Sequence, residues 1–204
     1  MAAELLEREM FKRPLLTQLI FKYLEEGEDA AKEYTSRNSK LDADLMPWII
    51  SEKARLDDAL VEIEEVQVIG YLTRVLGESY ELGYNEIRQA LRLVTSGSLG
   101  EAREYLEDLD KDVALVEEAI RLRDLFMGYQ RVQGDNGLLA QFLAEILFEQ
   151  HYNARAALIR AVLGNDKAEA AKVVQTVPGI SEKWIQKIDD LRKETERERR
   201  EVWE

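Results

Sequence analysis

Four glutamates have the spacing in this chain that most suggests chemistry. Glu62 and Glu65 are three residues apart, and Glu78 and Glu81 repeat the pair after twelve intervening residues. Residues three apart lie on the same side of a helix, so each pair presents two carboxylates together. Two such pairs could hold hard divalent cations, which prefer oxygen ligands and bind triphosphates. The spacing therefore makes these glutamates candidate magnesium ligands.

This spacing resembles the ExxE…ExxD pattern of the all-α nucleotide pyrophosphohydrolases of the MazG-like family. The resemblance covers about twenty residues, and Glu81 stands where the family has aspartate. It implies an all-α enzyme that uses magnesium to cleave nucleoside triphosphates. On a straight helix Glu62 and Glu78 would be about 24 Å apart along the axis and turned about 160° around it. The four carboxylates therefore meet only if the chain doubles back near Gly70.

An alternation of aspartates suggests a second cation site. Asp108, Asp110 and Asp112 have the spacing that opens an EF-hand calcium loop. That loop needs a glycine at its sixth position and a bidentate glutamate at its twelfth, whereas this chain has Val113 and Ala119 there. The sequence favours an ordinary interhelical connection at this point.

A third local pattern concerns nucleic acid. Residues 174–188 look like the helix-hairpin-helix family motif for DNA binding, but Ser181 replaces its second glycine. We interpret Pro178 and Gly179 as a turn and Ser181 as the N-cap of the next helix.

The residue types available limit the possible chemistry. The chain contains no cysteine, and His151 is its one histidine. Disulfides, thiolate metal sites, cysteine nucleophiles and multi-histidine sites are excluded. We assign no catalytic role to His151 and predict no catalytic or cofactor-binding residue.

The charge balance is strongly acidic. The chain has 41 acidic and 28 basic residues, and residues 41–133 contain twenty acidic against ten basic ones. Binding to a phosphate backbone depends on clusters of lysine and arginine, so nucleic-acid binding is not favoured. The acidic excess is most simply interpreted as serving solubility. The alternatives are a partner protein with a basic surface and, as an alternative function, an acidic DNA mimic or nucleic-acid-associated protein.

The apolar pattern predicts an all-α fold. Apolar residues recur every three or four positions, as in amphipathic helices, and three prolines interrupt the chain. The predicted helices are residues 4–11, 14–25, 28–37, 44–69, 71–83, 85–95, 100–108, 111–132, 137–163, 166–176 and 181–203. The stretch 44–83 is either one long helix or two helices with a sharp bend. The best N-cap candidates are Asp42, Asp166 and Ser181.

A faint internal repeat suggests how the helices are arranged. Gly27, Gly97 and Gly164 each precede a short helical segment at a period of about seventy residues. We predict a single compact domain, residues 1–204, built from about three divergent units of helix, short helix and long helix: 12–83, 84–151 and 152–204. Stacked helical repeats bury one another and leave an extended surface for a partner.

The leading functional hypothesis is a non-catalytic protein that mediates protein–protein interaction, as an adaptor, an inhibitor or a subunit of a larger assembly. Weak candidates for partner contact are Leu191, Val202 and Trp203, which form a sparse apolar edge near the C-terminal end. The partner is another protein or a second copy of the chain. The apolar run at residues 15–21 is too short to span a bilayer, and we expect a soluble, cytoplasmic protein.

Overall fold

The computed structural model describes residues 13–38, 41, 45–176, 184–190, 192–193 and 197. These residues form α-helices joined by short turns, and no strand occurs among them. The all-α prediction is therefore confirmed. Among the described helices, none has the length and apolar character needed to span a bilayer. The helices are α1 (Arg13–Glu26), α2 (Glu28–Arg37), α3 (Leu45–Tyr80), α4 (Tyr84–Ser96), α5 (Leu99–Asp108), α6 (Ala114–Val132), α7 (Asn136–Leu163) and α8 (Lys167–Thr176), and residues 184–190 are also helical.

The chain separates into two compact units. Unit 1 comprises the described parts of residues 1–52 and 134–204, and unit 2 comprises residues 53–133. Helix α3 begins in unit 1 and ends in unit 2. The single domain over residues 1–204 and the repeat boundaries stay predictions.

In unit 1, helix α1 lies antiparallel to helix α7. Near one end of α1, Nδ2 of Asn136 donates a 2.8 Å hydrogen bond to Oε1 of Glu25. Near the other end, Nη1 of Arg13 lies 3.8 Å from Oε1 of Glu145. Both helices present an apolar face, and burying each large side chain stabilises the fold by about 1.5–3 kcal/mol. The buried residues of these faces are Leu16, Leu19, Ile20, Leu139, Ala140, Leu143, Ala144 and Leu147.

The second half of α7 belongs to a separate core cluster within unit 1. It packs with α8 and the helical residues 184–190. The buried members of this C-terminal cluster are Ala154, Leu158, Ile159, Ala161, Ala170, Val173, Trp184 and Ile188. Trp184 is the largest of them, and the guanidinium carbon of Arg155 lies 3.8 Å from the centroid of its ring.

Each of the three ten-residue helices follows a turn with a left-handed residue. Helices α2, α5 and α8 contain ten residues each, and the turns before them place Gly27 at φ 90°, Gly97 at φ 85° and Asn165 at φ 58°. At Gly97 and Asn165 the next N–H group bonds back to the preceding helix, from Ser98 to the carbonyl of Leu93 and from Asp166 to that of Ala161. The three turns are not identical, since Gly27 has an extended ψ of −179° and Gly164 is helical at φ −79° beside Asn165. The repeat units stay a prediction.

One predicted N-cap can be checked. Asp166 Oδ1 accepts the N–H of Glu169 at 3.0 Å, so its capping of α8 is confirmed. Asp42 and Ser181 lie outside the described residues.

In unit 2, helix α3 breaks at Gln67 and the chain folds back. Gln67 has φ 64° and ψ 162°, whereas its neighbours are helical. Nε of Arg74 donates a 2.8 Å hydrogen bond to Oε1 of Glu62, although twelve residues of straight helix would separate them by about 18 Å. The sequence left two alternatives open for residues 44–83, and the structure shows the second of them, two helical segments with a sharp bend.

The bend lies three residues before the glycine that the sequence suggested. A Cβ added to Gly70 would lie 3.2 Å from Cβ of Val66, so the glycine leaves room for that side chain beside the bend. The left-handed residue itself is Gln67, whose φ and ψ values are favoured almost only by glycine.

Replacing Gln67 with glycine is expected to raise the free energy of unfolding by about 1 kcal/mol, because a strained non-glycine residue costs about 1–3 kcal/mol and glycine adopts this conformation without a clash. The matched control is Gln89→Gly at an exposed position inside α4, which should lower the same quantity by about 1 kcal/mol. Urea denaturation followed by circular dichroism measures both. A destabilised Gln67→Gly protein would contradict the observed backbone conformation.

Helix α6 packs against both arms of the folded-back α3. The rings of Tyr71 and Phe126 meet edge to face with centroids 5.1 Å apart, and the Tyr129 hydroxyl donates a 2.7 Å hydrogen bond to Oδ1 of Asp57. Phe126 and Tyr129 are one turn apart on α6, so one short stretch of this helix holds residues 57 and 71 together. Helices α4 and α5 contribute further to the core through Ile87, Ala90, Leu91, Val94, Ala102 and Leu106.

Candidate functional site

The glutamate pairs are placed on the surface of unit 2. Glu65, Glu78 and Glu81 are exposed, and Glu62 forms a two-pronged salt bridge with Arg74. The hydrogen bond from Arg74 to Glu62 raises the pKa of the guanidinium above its usual value. Throughout the part of the chain that the structure describes, no three His, Cys, Asp or Glu side chains form a group that could hold a metal ion. The fold-back at Gln67 thus places a guanidinium, and no second carboxylate pair, beside Glu62.

The aspartate alternation has a structural role. Asp110 adopts a left-handed conformation at φ 54° in the connection between α5 and α6. Oδ1 of Asp112 accepts the N–H of Ala114 at 2.8 Å, at the beginning of α6. An aspartate at this place satisfies a helix N–H group and complements the helix dipole.

Two sequence candidates lie elsewhere. The apolar edge of Leu191, Val202 and Trp203 and the turn at residues 177–181 fall outside the described residues. The structure therefore places none of them.

His151 is buried within unit 1. Its side chain is fully enclosed, and its ring centroid lies 5.3 Å from that of Trp48. Arg155 follows one turn later on α7, is 3% exposed and stacks on Trp184. The burial of these two residues beside aromatic rings indicates a structural role. No feature of the sequence pattern pointed to the burial of Arg155.

The end of α7, the beginning of α8 and the residues Ile185, Gln186, Asp189 and Arg192 line an open pocket of about 470 Å³ in unit 1. Several of its polar groups have partners: Asp166 caps α8, and Asp189 pairs with Arg192 and Lys193. The hydrogen bond from Lys193, together with Arg192, lowers the pKa of Asp189 below its usual value. These contacts are local to their own helices, three or four residues apart.

A shallow groove of about 550 Å³ runs along α6 in unit 2. We call it the α6 groove. Val68, directly after the break at Gln67, and Thr95, in the last turn of α4, form its other walls. The complete lining is Val68, Thr95, Arg123, Asp124, Met127, Gly128 and Arg131.

Three of these residues form one stripe. Arg123, Met127 and Arg131 are spaced four residues apart, so they follow one another along a single face of α6. Met127 is 40% exposed, although its side chain is apolar. Gly128 has no side chain, which leaves space next to the methionine. The stripe therefore offers an apolar contact flanked by two guanidinium groups.

The charge of the stripe is opposite to that of its surroundings. Residues 53–133 contain seventeen acidic and ten basic residues. Arg123 pairs with its neighbour Asp124 at 2.9 Å, whereas Arg131 is exposed and forms no ion pair with any residue that the structure describes. Its position in the last turn of α6 also complements the helix dipole. The α6 groove is thus a locally basic site on an acidic unit.

Sequence reasoning missed this site, although a signal was present. The Arg-x-x-x-Met-x-x-x-Arg spacing at residues 123–131 places two arginines on one helix face within residues 53–133, where acidic residues outnumber basic ones. What the sequence lacked was the fold-back at Gln67, which brings Val68 to the groove. Comparisons with models of protein families, with curated proteins and with solved structures found no match.

Proposed function

We propose that this chain is a non-catalytic, cytoplasmic protein that binds another protein through the α6 groove, as an adaptor, an inhibitor or a subunit of a larger assembly. The stripe of Arg123, Met127 and Arg131 supports this proposal. Methionine adapts its shape to a partner, and arginine offers five hydrogen-bond donors, so both are enriched at protein interfaces. An exposed apolar side chain in a concave site gains burial energy only when a partner covers it.

The residue types in the groove favour binding over reaction. General acid–base catalysis near neutral pH works best with a group whose pKa lies near 7. The groove presents arginine, methionine, threonine, valine and one aspartate. Arginine stays protonated under all ordinary conditions and acts by donating hydrogen bonds. These side chains suit recognition of a surface.

The proposal is tested by affinity capture from the source organism with the tagged full chain. We expect one companion protein at near-stoichiometric yield. Met127→Glu places a carboxylate in the groove and should reduce that yield at least tenfold, which corresponds to about 1.4 kcal/mol of binding free energy.

The matched control is Leu138→Glu. Leu138 is also an exposed apolar residue on a helix, 49% exposed, but it belongs to α7 in unit 1. This variant should keep the companion. Circular dichroism and thermal melting verify that both variants are folded, and light scattering detects a companion that is a second copy of the chain. Equal retention by the two variants would contradict the proposal.

A further inference from the structure

We infer that the occupant of the α6 groove is an acidic amphipathic helix of the partner protein, an inference that rests on the proposed function. The first argument is spacing. Arg123 and Arg131 are eight residues apart, so they stand about 12 Å apart along α6, with Met127 about midway. A partner helix alongside α6 would match this spacing with two carboxylates seven or eight residues apart and an apolar residue between them.

The second argument is charge complementarity. Carboxylates accept paired hydrogen bonds from arginine, and these charge-assisted bonds are roughly twice as strong as neutral ones. The groove contains two guanidinium groups and one carboxylate, Asp124, whose side chain is 61% exposed. The guanidinium of Arg131 forms no ion pair with any residue that the structure describes. A carboxylate is therefore the partner group that completes the site.

The third argument concerns the alternative classes of ligand. A nucleic-acid backbone needs an extended array of cations, and the acidic excess of residues 53–133 repels phosphates. A helix with basic residues would be attracted by unit 2 as a whole but repelled by Arg123 and Arg131. The local charge of the α6 groove thus predicts a preference for an acidic helix, whereas the overall charge of unit 2 predicts a preference for a basic one. This opposition makes the inference testable.

The experiment uses the full chain and two fluorescein-labelled peptides of fourteen residues. Both peptides are alanine-rich helices with leucines in the central turn. One carries glutamate seven residues apart on either side, and the other carries lysine at the same positions. Fluorescence anisotropy in about 50 mM salt should show at least tenfold tighter binding of the glutamate peptide. The preference should shrink in high salt, because ions screen exposed charges.

Two variants with the same change in charge locate the binding site. Arg131→Glu alters the groove and should reduce affinity for the glutamate peptide at least tenfold. Arg88→Glu alters an exposed arginine on α4 that does not line the groove, and it should change the affinity less than threefold. Equal losses in the two variants would show that overall charge controls binding and would overturn the inference.

The remaining outcomes are equally decisive. Tighter binding of the lysine peptide, equal binding of both peptides, or binding of neither would also overturn it. If the companion captured from the source organism depends on Met127 while the glutamate peptide does not bind, the proposed function stands and the acidic-helix inference fails. If the companion does not depend on Met127 either, both fail.

Discussion

Replacing Trp184 with alanine is expected to destabilise the C-terminal cluster of unit 1 by about 3–5 kcal/mol, the usual cost of removing a large aromatic side chain from a core. Trp184 is 8% exposed and packs among Leu158, Ile159, Ala170 and Val173. Its loss also removes the ring on which Arg155 stacks. That guanidinium would stay buried with one favourable contact fewer, and cation–π contacts of this kind contribute roughly 0.5–2 kcal/mol.

The measurement has to detect local as well as global unfolding. Hydrogen exchange read by mass spectrometry should show amides of α8 exchanging at least a hundredfold faster in Trp184→Ala, since every 1.4 kcal/mol corresponds to about tenfold. Trp184→Phe keeps an aromatic ring for Arg155 and should lose less than half as much stability. If alanine and phenylalanine have equal effects, the stacking of Arg155 is not what matters. A change below 1 kcal/mol for alanine would contradict the burial of Trp184.

The second large effect is expected at the contact of α1 with α7. Leu19→Ala should lower the free energy of unfolding of unit 1 by about 2–5 kcal/mol, because the side chain is fully buried and its removal leaves a cavity. Chemical denaturation followed by circular dichroism measures the loss.

The control lies two residues away on the same helix. Phe21 is the larger side chain but is 42% exposed, so Phe21→Ala should cost under 1 kcal/mol. Sequence hydrophobicity alone would give the two substitutions the opposite order. A greater loss at Phe21 than at Leu19 would show that α1 presents a different face to the core.

Most helices could be predicted from the sequence because their boundaries depend on local chemistry. The predicted helix at residues 28–37 coincides with α2, and those at 100–108 and 137–163 each differ from α5 and α7 by one residue. Gly27 and Gly97 lie at the turns before α2 and α5, and Asp135 caps α7. Such signals act within a few residues and are visible in the chain itself.

The break at Gln67 could not be predicted because its cause is tertiary. Residues 61–69 are Val-Glu-Ile-Glu-Glu-Val-Gln-Val-Ile, without glycine or proline, and local propensity favours an uninterrupted helix. The contacts of residues 57 and 71 with α6 outweigh that propensity and hold a strained residue in place. Sequence analysis located a bend nearby through Gly70, which accommodates Val66 and is not the turning residue.

How much of the candidate site could be predicted also depended on the break at Gln67. The sequence marks the glutamate pairs as candidates because carboxylates are typical of metal sites. Whether the two pairs lie close together depends on where the chain turns. Arg74 pairs with Glu62 because the helix breaks at Gln67, between the two residues, and this bend brings their side chains together. Helical periodicity alone identifies the stripe at residues 123–131. The groove, however, also has walls formed by Val68 and Thr95, and the sequence does not show that these residues lie beside the stripe.

A bent helix whose corner is a single amino acid has almost no tolerance for changes in length. One inserted residue after Gln67 would rotate everything up to Tyr80 by about 100° around its axis and shift it by about 1.5 Å. Tyr71 would then turn away from Phe126, and Val68 would leave its place beside Met127. Insertions or deletions in natural variants of this protein should therefore avoid the stretch between Glu62 and Arg74 and accumulate in the connections between the shorter helices.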